Sequence, residues 1–276
     1  MTDRSRQLTA ALAAVVLLGT VVGTMVAAGR PAGEIHVEAV DSADYAAPGH
    51  AGWQDVPART VALTAAPSGL PQASNTTVTQ ARVQAAETDS RLYVRVSWAD
   101  ATVDRNESDP RQFADAVALE MPVNASGPQP PIAMGSNKNM VDVWYWSGST
   151  GSQELLAGGA ATLTEFQSDH VATQVRRDGG QWQVVFARNL SAPGANRTAL
   201  DGQQDVPVAL AVWNGSNMER SGRKAVSTWQ YFPLGPGLQG PPLQTLFWAL
   251  AGLALVAIVL VTIRSVSNGI EVTGGE

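Results

Sequence analysis

The segment HVATQVRRDGGQWQVVFAR, residues 170–188, predicts a β-hairpin. Two runs of strand-forming residues, His170 to Arg177 and Gln181 to Arg188, flank the turn Asp178-Gly179-Gly180. A short Gly-rich turn between two such runs is a strong hairpin signal. The segment from Arg91 to Trp98 alternates apolar and polar residues, which is typical of a strand that buries one face.

The rest of the region between residues 30 and 235 continues this β pattern. Helical periodicity is weak there, and turn residues recur about every ten positions. Further strands are predicted at residues 60–65, 77–86, 206–213 and 226–232. We therefore expect an all-β, two-sheet antiparallel β-sandwich. Its Pro- and Gly-rich stretches at 122–136 and 191–204 are predicted to be long loops, which in compact domains are often functional.

Two hydrophobic segments flank the predicted sandwich. Residues 1–29 have a basic start, an apolar run and small residues at the end, which predicts a signal peptide or an N-terminal membrane anchor. Residues 243–263 carry no charge, and their length suits a transmembrane helix. The expected organisation is a domain at 30–235, a linker at 236–242, the membrane helix, and a cytoplasmic tail at 264–276.

The charged residues and the asparagines both indicate that the domain lies outside the cytoplasm. Arg4, Arg6 and Arg264 lie on the far sides of the two hydrophobic segments, and basic residues favour the cytoplasmic side of a membrane. Six of the ten asparagines are in N-x-S/T acceptor form, whereas chance would place only about one or two there. A simple clustering of Asn, Ser and Thr in turns is the alternative.

The absence of cysteine limits the chemistry of the chain. It excludes disulfides, Fe–S clusters, thiolate zinc sites and covalent c-type haem attachment. The net charge of −6 and the lack of a basic patch argue against a nucleic-acid partner. No Ser-His-Asp set, carboxylate dyad or phosphate-binding loop stands out, so a catalytic role has little support.

Two segments contain the only lysines of the chain. The first, residues 113–146, reads FADAVALEMPVNASGPQPPIAMGSNKNMVDVWYW, and the second, residues 222–232, reads GRKAVSTWQYF. These segments resemble the haem-binding γ subunits that accompany molybdenum enzymes of the dimethyl sulfoxide reductase family. The resemblance rests on the D-A-V-A-L-E-M-P strand, the M-G step followed by W-Y-W, and R-K-x-x-S-T-W. Ethylbenzene dehydrogenase, dimethyl sulfide dehydrogenase, selenate reductase and chlorate reductase have such subunits.

The resemblance implies a β-sandwich with one haem whose axial ligands are Met134 and Lys224. Without cysteine the haem would be b-type, and two strong-field ligands suit electron transfer rather than substrate chemistry. A lysine amine binds iron only when deprotonated, which burial favours. The implied partners are a molybdopterin catalytic subunit and an Fe–S subunit of a respiratory complex, and a membrane cytochrome or quinone on the membrane side.

Several other residues have two interpretations. Trp144 and Trp146, with Tyr145 and Trp229, are candidates for contacting the haem or relaying electrons, but ordinary core packing is the alternative. Arg223 is a candidate partner for a haem propionate, and a surface arginine is the alternative.

The sequence allows two other interpretations. One is a haem held by two histidines, although the spacing of the three histidines in the chain does not indicate a ligand pair. The other is a membrane-tethered β-sandwich that binds sugar or a protein partner without a cofactor.

Overall fold

The computed structural model describes residues 33–132, 134–191 and 194–235. They form two β-sheets packed face to face, so the predicted all-β sandwich is confirmed. The predicted segments 1–29, 236–242, 243–263 and 264–276 lie outside the described residues. Within the described residues, no helix has both the length and the apolar character needed to cross a bilayer.

The described residues contain fourteen strands and three short 3-10 helices. The strands are β1 Val37–Ala39, β2 Arg59–Ala62, β3 Thr64–Ala65, β4 Gln80–Glu87, β5 Arg91–Ala99, β6 Ala116–Pro122, β7 Val141–Ser147, β8 Gly151–Ala157, β9 Thr164–Glu165, β10 Val171–Asp178, β11 Gln181–Asn189, β12 Val206–Trp213, β13 Ala225–Val226 and β14 Gln230–Phe232. The 3-10 helices are Ala43–Ala46, Ala51–Gln54 and Gly215–Asn217.

One sheet has six strands and the other has eight. The six-stranded sheet runs β1-β4-β5-β11-β10, with β2 also paired to β4. The eight-stranded sheet runs β3-β13-β12-β6-β7-β8-β9, with β14 also paired to β12. The predicted hairpin is β10–β11, and its turn glycines Gly179 and Gly180 both have positive φ, as a tight hairpin turn requires. The sheets are not purely antiparallel, because β1 pairs with β4 in parallel.

Two predicted strands are interrupted for identifiable reasons. The strand expected at 60–65 crosses between sheets, since β2 pairs with β4 and β3 pairs with β13. The strand expected at 226–232 breaks at Ser227, whose N–H donates to the Leu210 carbonyl while its Oγ accepts from the Leu210 N–H at 2.9 Å. A side-chain oxygen thus replaces a backbone carbonyl in the ladder. The sequence also did not predict the short strands β1 and β9, nor β8.

The main core lies between the two sheets and is rich in large aromatic side chains. Trp98 and Trp182 come from the six-stranded sheet, and Trp144 and Trp146 come from β7 of the other. The rings of Trp146 and Trp182 meet across the sandwich at 5.2 Å between centroids. Burying such large apolar surfaces supplies the main driving force for packing the sheets together.

A buried ionic group also joins the sheets. Arg188 on β11 donates to Asp142 on β7 at 2.6 Å, and both side chains are fully buried. The Arg188 guanidinium also lies 5.0 Å from the ring centroid of Trp144. Glu154 on β8 pairs with Arg197 at 3.0 Å, which brings the loop after β11 into the same group. Buried charges persist only when paired in this way.

Candidate functional site

A large cavity opens on the outer face of the eight-stranded sheet, away from the main core. Strand residues alternate between the two faces, so Val117, Leu119 and Met121 of β6 enter the core while Ala116, Ala118 and Glu120 face outward. The cavity has a volume of about 1130 Å³. Typical ligand pockets measure roughly 300–1000 Å³, so this cavity has room for a large cofactor.

The floor of the cavity is made of small side chains. Four alanines of the adjacent strands β6 and β12 line it: Ala116, Ala118, Ala209 and Ala211. Larger apolar residues from the flanking strands stand around this floor, among them Val143, Leu155 and Val226. Methyl groups on neighbouring strands leave a flat apolar surface, which is the shape that a planar ring system can lie against.

Lys224 lines the cavity directly before β13. Its side chain is largely buried, with 7% of the residue exposed, and its Nζ lies 4.9 Å from the ring centroid of Trp213. Burial lowers the pKa of the Lys224 amine below its ordinary value, while the nearby Glu120 acts in the opposite direction. Burial thus shifts the Lys224 amine towards its neutral form, which is the form that binds a metal.

Glu120 faces the same cavity and was not identified from the sequence. It is 9% exposed, and its Oε1 has no hydrogen-bond partner among the described residues. Burial raises the pKa of Glu120 to about 8, and Lys224 partly opposes this rise. Its only sequence signal was a polar residue on an otherwise apolar strand, which does not reveal which face it occupies.

Met134 lines the cavity from the long loop between β6 and β7. It has φ +70°, and Gly135 follows with φ +74°. A Cβ on Gly135 would lie 3.1 Å from Val141 Cγ1 and 3.2 Å from the carbonyl oxygens of Asn139 and Ala157, so any other residue would be strained there. The Met134 carbonyl accepts a hydrogen bond from Gly159 at 2.9 Å. Backbone strain of this kind persists where surrounding contacts hold it.

Two side chains fasten this loop. Asn139 is 6% exposed, and its amide nitrogen donates to the carbonyls of Asn124 and Pro128 at 3.1 and 2.9 Å. The Trp229 indole donates to the Pro130 carbonyl at 3.1 Å. The second contact links the loop that contains Met134 to the segment that contains Lys224. Sequence reasoning missed Asn139, because an Asn in a polar turn gives no sign that its side chain is buried.

The aromatic residues predicted to contact a cofactor do not all reach the cavity. Trp144 and Trp146 lie in the core between the sheets, because on β7 they alternate with the cavity-lining Val143 and Tyr145. Neither tryptophan belongs to the cavity lining, so their positions fit the interpretation as core packing. Tyr145 lines the cavity instead, with its ring edge-on to Trp213 at 5.7 Å between centroids.

Arg223 also lies outside the cavity lining. Its guanidinium donates to the Asn75 carbonyl at 3.2 Å and to Gln72 Oε1 at 3.3 Å, which turns it away from the cavity. Arg220 lines the cavity instead, with its guanidinium 4.4 Å from the ring centroid of Phe113. The structure therefore brings Arg220, and not Arg223, to the cavity lining.

The other candidate ligands are elsewhere. Lys138 is exposed in the turn after Met134, and Met121 is buried in the main core. None of the three histidines, His36, His50 and His170, belongs to the cavity lining. Within residues 33–132, 134–191 and 194–235, no group of three His, Cys, Asp or Glu side chains is arranged to hold a metal ion.

Comparison with known proteins identifies the family. The family model described as ethylbenzene dehydrogenase matches residues 50–177 and 167–225. The chain belongs to the ethylbenzene dehydrogenase family. A Haloferax mediterranei protein named respiratory nitrate reductase heme subunit ORF7 is 50% identical over 97% of this chain and 99% of its own length. The chlorate reductase γ subunit of Ideonella dechloratans is 35% identical over 71% of this chain and 83% of its own.

A third relative is less similar to this chain. The γ subunit of dimethylsulfide dehydrogenase from Rhodovulum sulfidophilum is 32% identical over 58% of this chain and 62% of its own length. Together these matches confirm the predicted resemblance to the γ subunits of this group. Among solved structures, a family 9 carbohydrate-binding module from Caldicellulosiruptor kristjanssonii covers 70% of this chain and 82% of its own at 14% identity. Its TM-score is 0.43.

Proposed function

We propose that the cavity binds one b-type haem, with Met134 and Lys224 as its two axial ligands. The observation that carries this proposal is that these two residues, ninety positions apart in the chain, line the same cavity. The relatives named as haem and γ subunits of reductases support a haem cofactor. The sugar-binding or protein-binding alternative has no support of comparable specificity.

The residues around the cavity suit this cofactor. The alanine floor offers a flat apolar surface, and the absence of cysteine leaves ligation and packing to hold the ring. When bound, a haem supplies a one-electron redox centre. A thioether ligand favours ferrous iron and raises the reduction potential. Two protein ligands leave no open position for substrate, which agrees with an electron-transfer subunit rather than an enzyme.

The protein prepares Lys224 for this role through burial. Its amine must lose a proton before it can bind iron, and desolvation favours that loss. Glu120 lines the same cavity, and its charge opposes the lowering of the Lys224 pKa. The Trp213 ring restricts the position of the Lys224 Nζ. Arg220 is available at the cavity lining for an anionic propionate.

We further propose that the subunit exchanges electrons with a molybdopterin catalytic subunit through an Fe–S subunit at the outer face of the membrane. The names of the relatives, which refer to nitrate reductase, chlorate reductase and dimethylsulfide dehydrogenase, support a multisubunit redox complex. The hydrophobic segment 243–263 would tether the subunit near a membrane cytochrome or quinone.

The test is a reduced-minus-oxidised absorption spectrum of the full chain produced with haem available. We expect sharp low-spin α and Soret bands in the wild type. Met134→Ala and Lys224→Ala should each weaken or shift these bands, because each removes one axial ligand. Lys138→Ala and Met140→Ala are matched controls, since they remove the other lysine and a neighbouring methionine outside the cavity lining.

Two results would overturn parts of this proposal. A folded wild-type chain that stays colourless and takes up no added haemin would remove the cofactor altogether. If Lys138→Ala or Met140→Ala changed the bands as strongly as the ligand variants do, the assignment of Met134 and Lys224 would be wrong.

A further inference from the structure

Four asparagines of N-x-S/T motifs present exposed side chains on the surface of the domain. They are Asn75, Asn106, Asn124 and Asn189, which lie in loops or, for Asn189, at the end of β11. Such positions are where an acceptor amide is accessible to a modifying enzyme.

Two of these asparagines have a fixed backbone but a free side chain. The Asn75 carbonyl accepts hydrogen bonds from Arg223 and Asn217, and the Asn124 backbone pairs with the Asn139 side chain. Neither Asn75 nor Asn124 makes a side-chain hydrogen bond within the described parts of the chain. The local fold therefore fixes the backbone at Asn75 and Asn124, while their side-chain nitrogens make no hydrogen bond within the described residues.

Some of the four exposed motifs also have internal hydrogen bonds: Asn189 Oδ1 accepts from Arg91 at 3.0 Å, and the Thr77 hydroxyl of the Asn75 motif donates to Glu219 at 3.3 Å. The acceptor nitrogen Nδ2 of these four asparagines makes no hydrogen bond within the described residues.

The other two motifs differ, because the acceptor nitrogen of one is bonded and the hydroxyl of the other is buried. The Asn214 side chain uses both of its polar atoms: Nδ2 donates to Thr77 at 2.9 Å, and Oδ1 accepts from Ser216 at 2.7 Å. The motif of Asn196 ends in Thr198, which is 1% exposed and whose hydroxyl donates to the Pro122 carbonyl at 3.0 Å. The hydroxyl that the motif requires is thus buried in the folded domain.

We infer that this chain is N-glycosylated at one or more of Asn75, Asn106, Asn124 and Asn189, and not at Asn196 or Asn214. The inference rests on the extracytoplasmic location in the proposed function. In the reaction, the asparagine Nδ2 forms a bond to C1 of a sugar carried by a lipid-linked oligosaccharide. The bond between C1 and the lipid phosphate breaks, the phosphate leaves with the lipid, and the amide loses one proton. No oxidant or reductant is needed.

One of these sites borders the cavity. Asn106 directly precedes Glu107, which belongs to the cavity lining, and the Ser108 hydroxyl of its motif lies on the exposed surface beside Gln112. A sugar chain on Asn106 would stand next to the cavity opening. This sugar chain would block part of the access of a partner protein to the cavity opening.

The experiment is glycopeptide mapping and intact-mass measurement of the full chain purified from the cells that naturally make it. We expect sugar on at least one of the four exposed asparagines and none on Asn196 or Asn214. Asn→Gln substitution at an occupied site should remove one glycan mass. Ser108→Ala should remove the glycan from an unchanged Asn106, whereas Asn137→Gln, at an exposed asparagine outside any motif, should leave every glycan in place.

Two outcomes would overturn the inference. One is that all four exposed asparagines are unmodified in the natural protein. The other is that sugar occurs on Asn196 or Asn214. The haem spectrum of the same preparation separates this inference from the proposed function, because a protein with haem but no glycan contradicts only the glycosylation sites.

Discussion

The Trp229 indole donates a hydrogen bond to the carbonyl oxygen of Pro130 at 3.1 Å. Trp229 follows Lys224 by five residues, and Pro130 precedes Met134 by four, so this contact ties together the two segments that supply the proposed ligands. Pro130 is buried, and its carbonyl would lose this hydrogen bond if the indole were absent. The relationship therefore makes the position of Met134 depend on a residue almost a hundred positions away.

We expect Trp229→Phe to loosen the Met134 loop and lower the haem reduction potential. An unsatisfied buried carbonyl costs about 1–3 kcal/mol, and weaker thioether ligation removes a ligand that raises the potential. Potentiometric titration measures the effect. Trp53→Phe is the control, because it removes a similar hydrogen bond, to Ala47 at 3.1 Å, in a 3-10 helix that does not line the cavity. An equal potential shift in both variants would contradict this role for Trp229.

Gly135→Ala should reduce haem retention and destabilise the fold more than Gly151→Ala does. Both glycines have positive φ, +74° and +77°, so alanine costs roughly 1–2 kcal/mol at either site. Only at Gly135 would the added Cβ also press on Val141 and on two backbone carbonyls, since Gly151 has open space around it. Urea unfolding and haem titration of the two variants measure the difference. Equal losses in both would show that the close contacts are unimportant.

The buried pair Asp142–Arg188 should dominate the ionic contribution to stability. We expect Arg188→Met to cost about 3–5 kcal/mol, because it leaves Asp142 buried without its partner. Arg176→Met, which breaks the exposed pair with Asp178, should cost about 1 kcal/mol or less. Urea unfolding measures both free energies. The prediction fails if the double variant Asp142→Asn/Arg188→Met is as unstable as the sum of the single variants, since a coupled pair must be less than additive.

Because the pKa of Glu120 is raised, this group should make the unfolding free energy of the haem-free protein fall as pH rises from about 4.5 towards 8. The pKa of Glu120 is raised to about 8 by burial, so the folded state keeps a proton that the unfolded state has lost in this window. The pKa of Lys224 is lowered, so below the ordinary lysine pKa this amine binds fewer protons in the folded state than in the unfolded state. The contribution of Lys224 to the unfolding free energy therefore rises with pH in that range.

Glu120→Gln should reduce the fall of the unfolding free energy between about pH 4.5 and 8, because the amide does not titrate. Glu165→Gln, at an exposed carboxylate on β9, is the control and should leave the profile unchanged. Chemical unfolding at several pH values measures both. A profile of Glu120→Gln that matches the wild type would show that this carboxyl is not the group responsible.

Much of the fold followed from local patterns in the sequence. The alternation at 91–98 and the Gly179-Gly180 turn each depend on neighbours in the chain, and both became the predicted elements. The interruption at Ser227 did not follow, because it depends on a hydrogen bond to Leu210 on another strand. A side chain that replaces a backbone carbonyl as acceptor produces no recognisable pattern in the neighbouring sequence.

The sequence by itself determined the β-sandwich class, the family resemblance and the pair Met134 and Lys224 as ligand candidates. Only the tertiary structure decided which face of β7 borders the cavity. The alternation on β7 separates Trp144 and Trp146 from Tyr145, but both faces of this strand are apolar. The face that packs against the second sheet becomes core, and the other is left for the cavity. That choice, like the burial of Glu120 and Asn139, depends on contacts between distant segments, which a linear pattern does not encode.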